Sequence, residues 1–461
     1  MTPLFPRILL PFCLFLGACM PGAVSEMPSR AAAEIDSTMP PMRVFSAPQP
    51  TQFPIANADL QRDFIDLSFL LESGRTLPVL TRFEGPITVR VTGNPPATLA
   101  SDLNRLLFRL RNEAGIAISQ TAASDANITI EAVSRAEIRS HLPQAACFVV
   151  PNISRLSEFR LARRSPRTDW ARLSTRERMA VFVPNDASPQ EVRDCLHEEM
   201  AQALGPLNDL YRLPQSVFND DNVHAVLTGY DMMILRATYA PELRSGMTRA
   251  QVEARLPGIL ARINPGGQGM APRYDGQTPR EWVDAMQTAL GVGAAPGARR
   301  SAAMQTLSIA RTLGWQDHRL GFAHYILGRL ILPVDPAEAV AQFQAADRVF
   351  AQRPEYGLHR AMVAAQLSAY LVAQGRGPEA VDMIGLHLPV VIRHENAALV
   401  ATLNMLRAEA LELSGRGVEA QAVRLDSLGW ARYGFGADGV IRAKLREISA
   451  LSPLNRRNGR I

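Results

Sequence analysis

Lysine is almost missing from this 461-residue sequence, in which Lys444 is the single lysine among 49 basic residues. Aromatic residues are also few, at 6% of the chain. The net charge of +5 therefore rests on dispersed arginines, and no dense basic run interleaved with aromatics occurs. Proteins that bind nucleic acids usually carry such a run, so we expect no nucleic-acid partner.

Long apolar runs are scarce as well. The run over residues 8–16 follows Arg7 and is typical of a secretory signal, because it is too short to span a bilayer. Phosphate-binding loops, dinucleotide-binding fingerprints and the G-x-S-x-G elbow of serine hydrolases do not occur. Nucleotide binding and serine hydrolysis therefore have no support from a motif.

Cysteine is limited to four residues, of which Cys13 lies within the apolar run and Cys19 shortly after it. Residues 16–19 (L-G-A-C) resemble the bacterial lipobox, in which the cysteine becomes the lipidated first residue after cleavage. The resemblance implies export to the periplasm and a membrane anchor on Cys19, and Met20 favours the outer over the inner membrane. An ordinary signal peptide with an incidental cysteine is the alternative.

The other two cysteines, Cys147 and Cys195, lie in the part of the chain that folds after export. Two cysteines in an oxidising compartment indicate a disulfide. It would close a loop of about fifty residues and stabilise the fold by roughly 3–4 kcal/mol. Two buried free thiols are the alternative.

The order of apolar patterns divides the chain into segments. Strand and helix patterns alternate over residues 57–263, which indicates an α+β domain with a mixed sheet, and an all-α part follows. The expected segments are a signal peptide (1–18), a lipidated flexible tether (19–56), the α+β domain (57–263), a linker with one helix (264–300), helical repeats (301–453) and a basic tail (454–461).

The helical part repeats a pattern in which Ala339, Ala380 and Ala420 recur about every forty residues, after an apolar helix and a turn. Stacked helical hairpins produce this pattern and present extended binding surfaces. The stretch around Leu327 and Phe343 resembles tetratricopeptide repeats, which implies a protein partner. A plain all-α bundle is the alternative.

One helix, residues 188–205, combines clear end signals with a misplaced carboxylate. Ser188 suits the N-cap, Pro189 the first helical position, and Gly205 the end. At about 100° per residue, Glu199 falls within the apolar arc of this helix. A carboxylate on the core-facing side is unfavourable unless it is paired or used, so Glu199 is the strongest lead to function.

The second half of that helix resembles the zinc-peptidase motif H-E-x-x-H-x-x-G-x-x-H. The three metal-ligand positions hold Glu198, Gln202 and Asn208, and the position of the general base holds Glu199. Residues 230–233 (Y-D-M-M) lie where metzincins carry a methionine turn. The preceding order of strands and helices is also similar to a metzincin-like fold, and the resemblance implies a peptidase-like domain.

Three longer strings carry a closer resemblance. Residues 194–209, 216–221 and 227–236 are similar to a family of exported proteobacterial proteins catalogued as domain of unknown function 2927. That family has no assigned activity, so the resemblance does not imply a reaction.

All three ligand positions depart from the histidines of the zinc motif, and two of them hold amides. Zinc prefers His, Cys or carboxylate ligands, whereas Gln202 and Asn208 carry amides. His197 points about 100° away from Glu198 on the helix and does not restore the set. We therefore expect a scaffold with empty ligand positions and no cofactor.

Two metal sites are alternatives to an empty scaffold. A zinc site would recruit His224 or Asp209 to complete the ligand set. A calcium site would combine Glu198, Asp209 and the N-D-D-N stretch over residues 219–222, because calcium prefers oxygen ligands.

Two main functions follow from these patterns. The first is a membrane-tethered periplasmic protein that has an inactive peptidase-like domain and binds a protein through its helical repeats. The second is a metal-dependent hydrolase of periplasmic peptide or cell-wall material, with an atypical ligand set and Glu199 as general base. A purely structural envelope lipoprotein is a third alternative.

Overall fold

The computed structural model describes residues 39–45, 54–273, 276–291 and 293–457. The expected signal peptide and the lipidated Cys19 lie outside the described residues. An N-terminal α/β region with a five-stranded mixed sheet is followed by a C-terminal region of consecutive helices, as predicted. Among the residues that the structure describes, no helix has the length and apolar composition needed to cross a membrane.

Five strands form the sheet in the order β2-β1-β3-β5-β4. They are β1 (Ile87–Gly93), β2 (Ile118–Gln120), β3 (Ile128–Val133), β4 (Phe148–Pro151) and β5 (Met179–Pro184). Neighbouring strands run parallel except β4, which pairs antiparallel with β5. All of β5 is buried, because alternate residues such as Val181 and Phe182 pack into two apolar clusters, one on each face.

Helices of the N-terminal region pack around this sheet. They are α1 (Asn57–Phe69), α2 (Leu99–Glu113), α3 (Arg135–His141), α4 (Leu156–Ala162), α5 (Pro189–Leu204), α6 (Gly229–Thr238), α7 (Arg249–Glu253) and α8 (Leu256–Ile263). Helix α5 lies against β4 and β5 and beside α2. The main apolar core of the region forms there, and it includes the buried Leu103 and Leu196.

Helix α5 begins and ends as predicted. Ser188 Oγ accepts a hydrogen bond from the backbone N–H of Glu191 at 3.2 Å, and Pro189 is the first helical residue. The helix stops before Gly205, where an added Cβ would lie 2.9 Å from the Thr238 side chain. A residue without a side chain is therefore required at this close approach.

The predicted disulfide between Cys147 and Cys195 is confirmed. The two Cα atoms are 5.9 Å apart and the two residues are separated by 48 positions. The bond ties the segment before β4 to the middle of α5, so it fixes the helix that carries the predicted site residues.

The C-terminal region consists of helices that pack mainly against their neighbours in sequence. They are α9 (Arg280–Leu290), α10 (Pro296–Thr312), α11 (His318–Ile331), α12 (Pro336–Phe350), α13 (Gly357–Ala373), α14 (Gly377–Arg393), α15 (Ala397–Leu413), α16 (Gly417–Phe435), α17 (Asp438–Ser449) and α18 (Pro453–Arg457). Ala339, Ala380 and Ala420 are each the fourth residue of α12, α14 and α16, and all three are fully buried. The repeated alanines therefore occupy equivalent places in three successive hairpins.

Residues 39–45, named the strap here, lie against α16 although they belong to the segment for which we predict a tether. The rings of Phe45 and Trp430 pack with centroids 4.6 Å apart. Arg105 Nη1, from α2, donates a hydrogen bond to the Phe45 carbonyl at 2.8 Å. The strap therefore contacts both regions.

A buried ion pair also joins α5 to the helical region. Arg193 Nη1 lies 3.1 Å from Glu395 Oε2, in the turn between α14 and α15. The Arg193 guanidinium also lies over the ring of Tyr433, 5.1 Å from its centroid. Both regions fall within one compact unit, so the helical region can contribute to a site built around α5.

Candidate functional site

The predicted site residues of α5 meet the loop that follows the helix. Glu199 and Gln202 lie three positions apart, on one face of the helix, and are 5% and 9% exposed. Gln202 Nε2 lies 3.5 Å from Asp209 Oδ2. Glu198 is half-buried, and its charge contributes to a raised pKa of Glu199. The structure therefore brings these four residues close together.

Asn208, the third predicted ligand position, is held by the end of α1. Its buried Nδ2 donates a hydrogen bond to the Asp66 carbonyl at 3.0 Å. This bond places Asn208 in the wall of a cleft and directs Asp209 beside it.

The cleft has a volume of about 520 Å³. Three parts of the chain form its walls: the end of α1 with the turn after it, the loop after α5, and one face of α9 with the residues just before it. Its lining includes Asp66, Leu71, Glu72, Asn208, Asp209, Leu210, Tyr211, Arg212, Asp220, Thr278, Arg280, Val283 and Gln287. A cleft of this size is suited to a small organic group or a side chain rather than to a bare ion.

Five carboxyl groups at and behind this cleft interact electrostatically and are named the acidic cluster. They are Glu72, Glu198, Glu199, Asp209 and Asp220. Burial raises the pKa of each of them, and for Glu198 the pKa rises to about 7. Repulsion between members raises these pKa values further. At neutral pH Glu198 is therefore partly protonated.

The two arginines that line the cleft pair with other groups. Arg212 Nη2 lies 2.8 Å from both Asp63 Oδ1 and Asp66 Oδ2. Arg280 pairs with Asp284 at 2.8 Å and donates to the Glu72 carbonyl at 2.9 Å. Within the described part of the chain, no member of the acidic cluster forms an ion pair of its own.

Glu199 has an oxygen without a partner. Its Oε2 is buried and accepts no hydrogen bond within the described residues. A buried polar atom left unpaired costs about 1–3 kcal/mol, and in a native protein such an atom bonds to an ordered water or a ligand, or takes part in a function. Asp209 Oδ1 is also unpaired, although its contact with Glu72 becomes a hydrogen bond when one of those carboxyls is protonated.

The predicted ligand positions do not fit zinc. Gln202 and Asn208 present amide groups whose N–H donors are directed at Asp209 and Asp66. Among the described residues, no group of three or more His, Cys, Asp or Glu side chains is placed to hold a metal ion. Glu198 would then be the sole carboxylate of a set that zinc disfavours.

Both histidines near the motif lie away from the acidic cluster. His197 Nδ1 accepts a hydrogen bond from the Leu227 N–H at 3.1 Å. His224 Nε2 lies 3.0 Å from the Pro214 carbonyl. Residues 230–233, compared above with a methionine turn, are helical and belong to α6.

The N-D-D-N stretch divides between two sites. Asp220 faces the cleft, where Tyr211 Oη and Gln287 Nε2 donate to its Oδ2 at 3.2 and 3.3 Å. Asp221 faces the helical region, where its Oδ2 lies 2.8 Å from His359 Nε2. The oxygen ligands proposed for calcium are therefore not gathered at one point.

Asp221 belongs to a second polar cluster, between the loop and the helical region. Its four histidines, named the junction histidines, are His224, His318, His359 and His394. Neighbouring rings lie 5.2 to 6.3 Å apart. Burial lowers the pKa of His224 to about 4 and the pKa values of His318 and His394 to about 3. These three histidines are therefore neutral at pH 7.

Sequence reasoning missed three residues of the cleft, Glu72, Tyr211 and Gln287. Glu72 lies in a turn after α1, and Gln287 lies in the one helix expected within the linker. Gln287 and its partner Asp220 are 67 positions apart, so no local spacing rule connects them. The apolar face of α9 is the one sequence signal that this segment packs against something.

A protein-family model matches part of the chain. No curated protein matches this chain. The match covers residues 57–258, and the family is described as Protein of unknown function (DUF2927). This stretch contains the sheet, α5 and every member of the acidic cluster, but not α9.

Proposed function

We propose that this chain is an exported periplasmic protein that is anchored to the membrane through Cys19, holds a protein partner on its helical region and has an inactive peptidase-like domain. The short apolar run after Arg7 and the L-G-A-C stretch support export and anchoring. The stacked hairpins of the C-terminal region support partner binding.

The main support for an inactive peptidase-like domain comes from the hydrogen bonds of two amide side chains, those of Gln202 and Asn208. Asn208 donates to the Asp66 carbonyl at 3.0 Å and Gln202 approaches Asp209, so both belong to the internal hydrogen-bond network. Arg176 Nη2 donates to the Gly205 carbonyl at 2.5 Å and braces the same turn. The turn after α5 is therefore stabilised by hydrogen bonds within the protein, and its amides are used in them rather than offered to a metal ion.

The helical region offers exposed apolar side chains on equivalent helices. Leu386 on α14 is 65% exposed, and Val418 and Leu425 on α16 are 90% and 59% exposed. Single exposed apolar residues are ordinary, but several on successive second helices of stacked hairpins are typical of a binding surface.

A photo-crosslinking amino acid placed at Val418, in the full chain inside the cell, tests partner binding. We expect a discrete adduct with one protein, and the same adduct from Leu425. Leu161 on α4, which is 88% exposed, is the matched control and should give no such adduct. Identical adduct patterns from all three positions would contradict the proposal.

Metal content and membrane fractionation test the other parts. Cys19→Ser should move the protein from the membrane to the soluble fraction. Stoichiometric zinc in the protein purified without added metal, together with peptide cleavage that is lost in Glu199→Gln, would overturn the inactive peptidase-like domain.

A second candidate, the metal-dependent hydrolase, is favoured by the unpaired Oε2 of Glu199. It predicts metal-stimulated hydrolysis of peptide or cell-wall fragments that disappears in Glu199→Gln. Glu191→Gln, on the first turn of the same helix, is the matched control and should keep that activity.

A further inference from the structure

We infer that the outer face of α4 docks on anionic phospholipid headgroups of the membrane to which the chain is anchored. The docking surface, named the basic patch, consists of the exposed side chains of Arg155, Arg160, Leu161, Arg163 and Arg164. This inference rests on the proposed function, because the anchor on Cys19 holds this surface near a bilayer.

Positive charge without a counter-ion is concentrated at the basic patch. Five arginines and a single glutamate lie within residues 155–167. The glutamate, Glu158, pairs with Arg167 at 2.8 Å and also lies 3.6 Å from Arg178. The four arginines of the patch form no ion pair within the part of the chain that the structure describes. Such a surface attracts an anionic partner.

The packing of α4 turns these side chains outwards. Its buried side contributes to an apolar cluster on one face of the sheet through Leu156, Phe159 and Ala162. Arg160 and Leu161, on the last turn of the helix, therefore project from its exposed side. The sheet thus serves as a rigid support for the patch.

An apolar side chain stands among the arginines. Leu161 is 88% exposed and follows Arg160 directly. A single exposed leucine is ordinary, but a leucine surrounded by arginines suits the surface of a bilayer, where headgroup phosphates lie beside acyl chains. A nucleic acid has no apolar layer to receive Leu161, so a lipid surface fits the patch better.

Guanidinium groups are suited to lipid phosphates. Their planar fork forms paired hydrogen bonds with phosphate oxygens. Each basic residue close to an anionic membrane favours the bound state about fivefold. Four arginines acting together would therefore favour docking by up to about 600-fold.

The basic patch and the helical region lie on opposite sides of the sheet. Phe182 of β5 points into the cluster that α4 covers, whereas Val181 points into the cluster that contains Leu196 of α5. Helix α16 packs against α5 on that second side. Docking through α4 would therefore leave the helical region turned away from the bilayer and open to a protein partner.

The length of the segment after the anchor allows this orientation. Nineteen residues lie between Cys19 and Met39, and a segment of that length spans at most about 70 Å. This is at least the width of a compact unit of this size. The anchor alone therefore does not select the face that meets the bilayer, whereas the charge of the basic patch does.

An environment-sensitive fluorescent amino acid in place of Leu161, in the full anchored chain, tests the inference. The chain is reconstituted into vesicles of phosphatidylcholine alone and of an equal mixture of phosphatidylcholine and phosphatidylglycerol. The anchor holds the chain on both, so only docking distinguishes them. We expect a blue shift of the emission on the anionic vesicles, reversed by high salt because salt screens the charges. The same amino acid at Val418 is the control and should show no shift.

Paired substitutions locate the docking surface. Arg160→Gln with Arg164→Gln should lower the ratio of docked to free chains about 25-fold, because two phosphate-binding groups are lost. Arg442→Gln with Arg446→Gln on α17 is the matched control and should leave the ratio unchanged. Those two arginines are also exposed, four positions apart and without an ion pair among the described residues.

Equal shifts on the two kinds of vesicle, or no shift on the anionic vesicles, would overturn the inference. A discrete protein adduct at Leu161 in the crosslinking experiment would overturn it too, and would assign α4 to a protein partner. The proposed function is tested separately, by fractionation of Cys19→Ser and by the adduct at Val418, so the two failures are distinguishable.

Discussion

The acidic cluster and the junction histidines lie on opposite sides of the same loop, and they handle buried polar groups differently. On the histidine side, one ring nitrogen each of His224, His318 and His359 has a partner in the protein, whereas Nδ1 of His318 and of His359 has none within the described residues. On the cleft side, Glu199 Oε2 has no partner within the described residues either. The two clusters differ in the direction in which burial moves the pKa: it lowers the pKa of His224, His318 and His394 and raises the pKa of Glu198, Glu199 and Asp209, so burial favours the neutral form in both.

Asp220 and Asp221 make this comparison at the level of adjacent residues. Asp220 accepts two long hydrogen bonds in the cleft, from Tyr211 and Gln287. Asp221 accepts hydrogen bonds from Asn219, His359 and the Val223 N–H, at 2.8 to 3.0 Å. One turn of chain therefore supplies a candidate ligand-binding residue and a structural one.

Removal of the disulfide should lower the stability of the fold more than any other change proposed here. The double variant Cys147→Ser, Cys195→Ser should lose about 4 kcal/mol of stability, because the bond closes a long loop in the unfolded chain. Urea unfolding measures the loss, with the reduced unmodified chain as control. An unchanged urea midpoint would show that α5 is held equally well by packing alone.

Alanine substitutions at Asp220 and Asp221 should have the next largest effect, and they should differ in how much stability each removes. Asp221→Ala should lose about 3 kcal/mol, because several buried hydrogen bonds disappear together. Asp220→Ala should change stability by less than about 1 kcal/mol, because relief of repulsion offsets two long hydrogen bonds. Thermal unfolding of the pair measures the difference, and equal losses would remove the distinction between the clusters.

Acid should lower the stability of the fold through the junction histidines. His394 has a pKa of about 3 in the folded chain, well below that of an unfolded histidine. Its contribution is therefore complete above about pH 7 and falls as the pH drops below about 6.5, since only the unfolded state gains the proton.

The size of that effect can be isolated with His394→Gln, which does not titrate. Between pH 7 and pH 5 the unmodified chain should lose about 2 kcal/mol more than the variant. Urea unfolding at the two pH values gives the difference. Parallel pH profiles for the two proteins would mean that His394 accepts its proton without disturbing the fold.

The smallest effect is expected at Glu199. Burial and repulsion raise its pKa well above the usual value, so glutamine resembles the protonated form that the fold accepts. Glu199→Gln should therefore gain about 1 kcal/mol at pH 8. Differential scanning calorimetry checks the sign, and a loss of stability would assign Glu199 to the structural class of Asp221.

Local patterns predicted much of the fold. The Ser188 cap and the Gly205 stop fixed the ends of α5 because capping depends on neighbours in sequence. The spacing of Ala339, Ala380 and Ala420 located three hairpins, because each hairpin repeats one packing position. The disulfide followed from the number of cysteines and the expected compartment.

Only part of the candidate site could be predicted from the sequence. The motif led to Glu198, Glu199, Gln202 and Asn208. The turn at Glu72 follows from no local pattern, and the apolar face of α9 indicates that this helix packs without indicating what it packs against. The opposite directions of Asp220 and Asp221 depend on the turn that the loop adopts between two packed regions. Such contacts arise from tertiary packing, which a single sequence expresses only weakly.

The strap has a consequence for the order in which the chain can fold. Pro40 accepts a hydrogen bond from Arg432, 392 positions later in the sequence. Contacts between such distant residues form slowly, because a long loop must close first. Residues 39–45 therefore cannot complete their packing until α16, which lies far later in the sequence, has been made and folded.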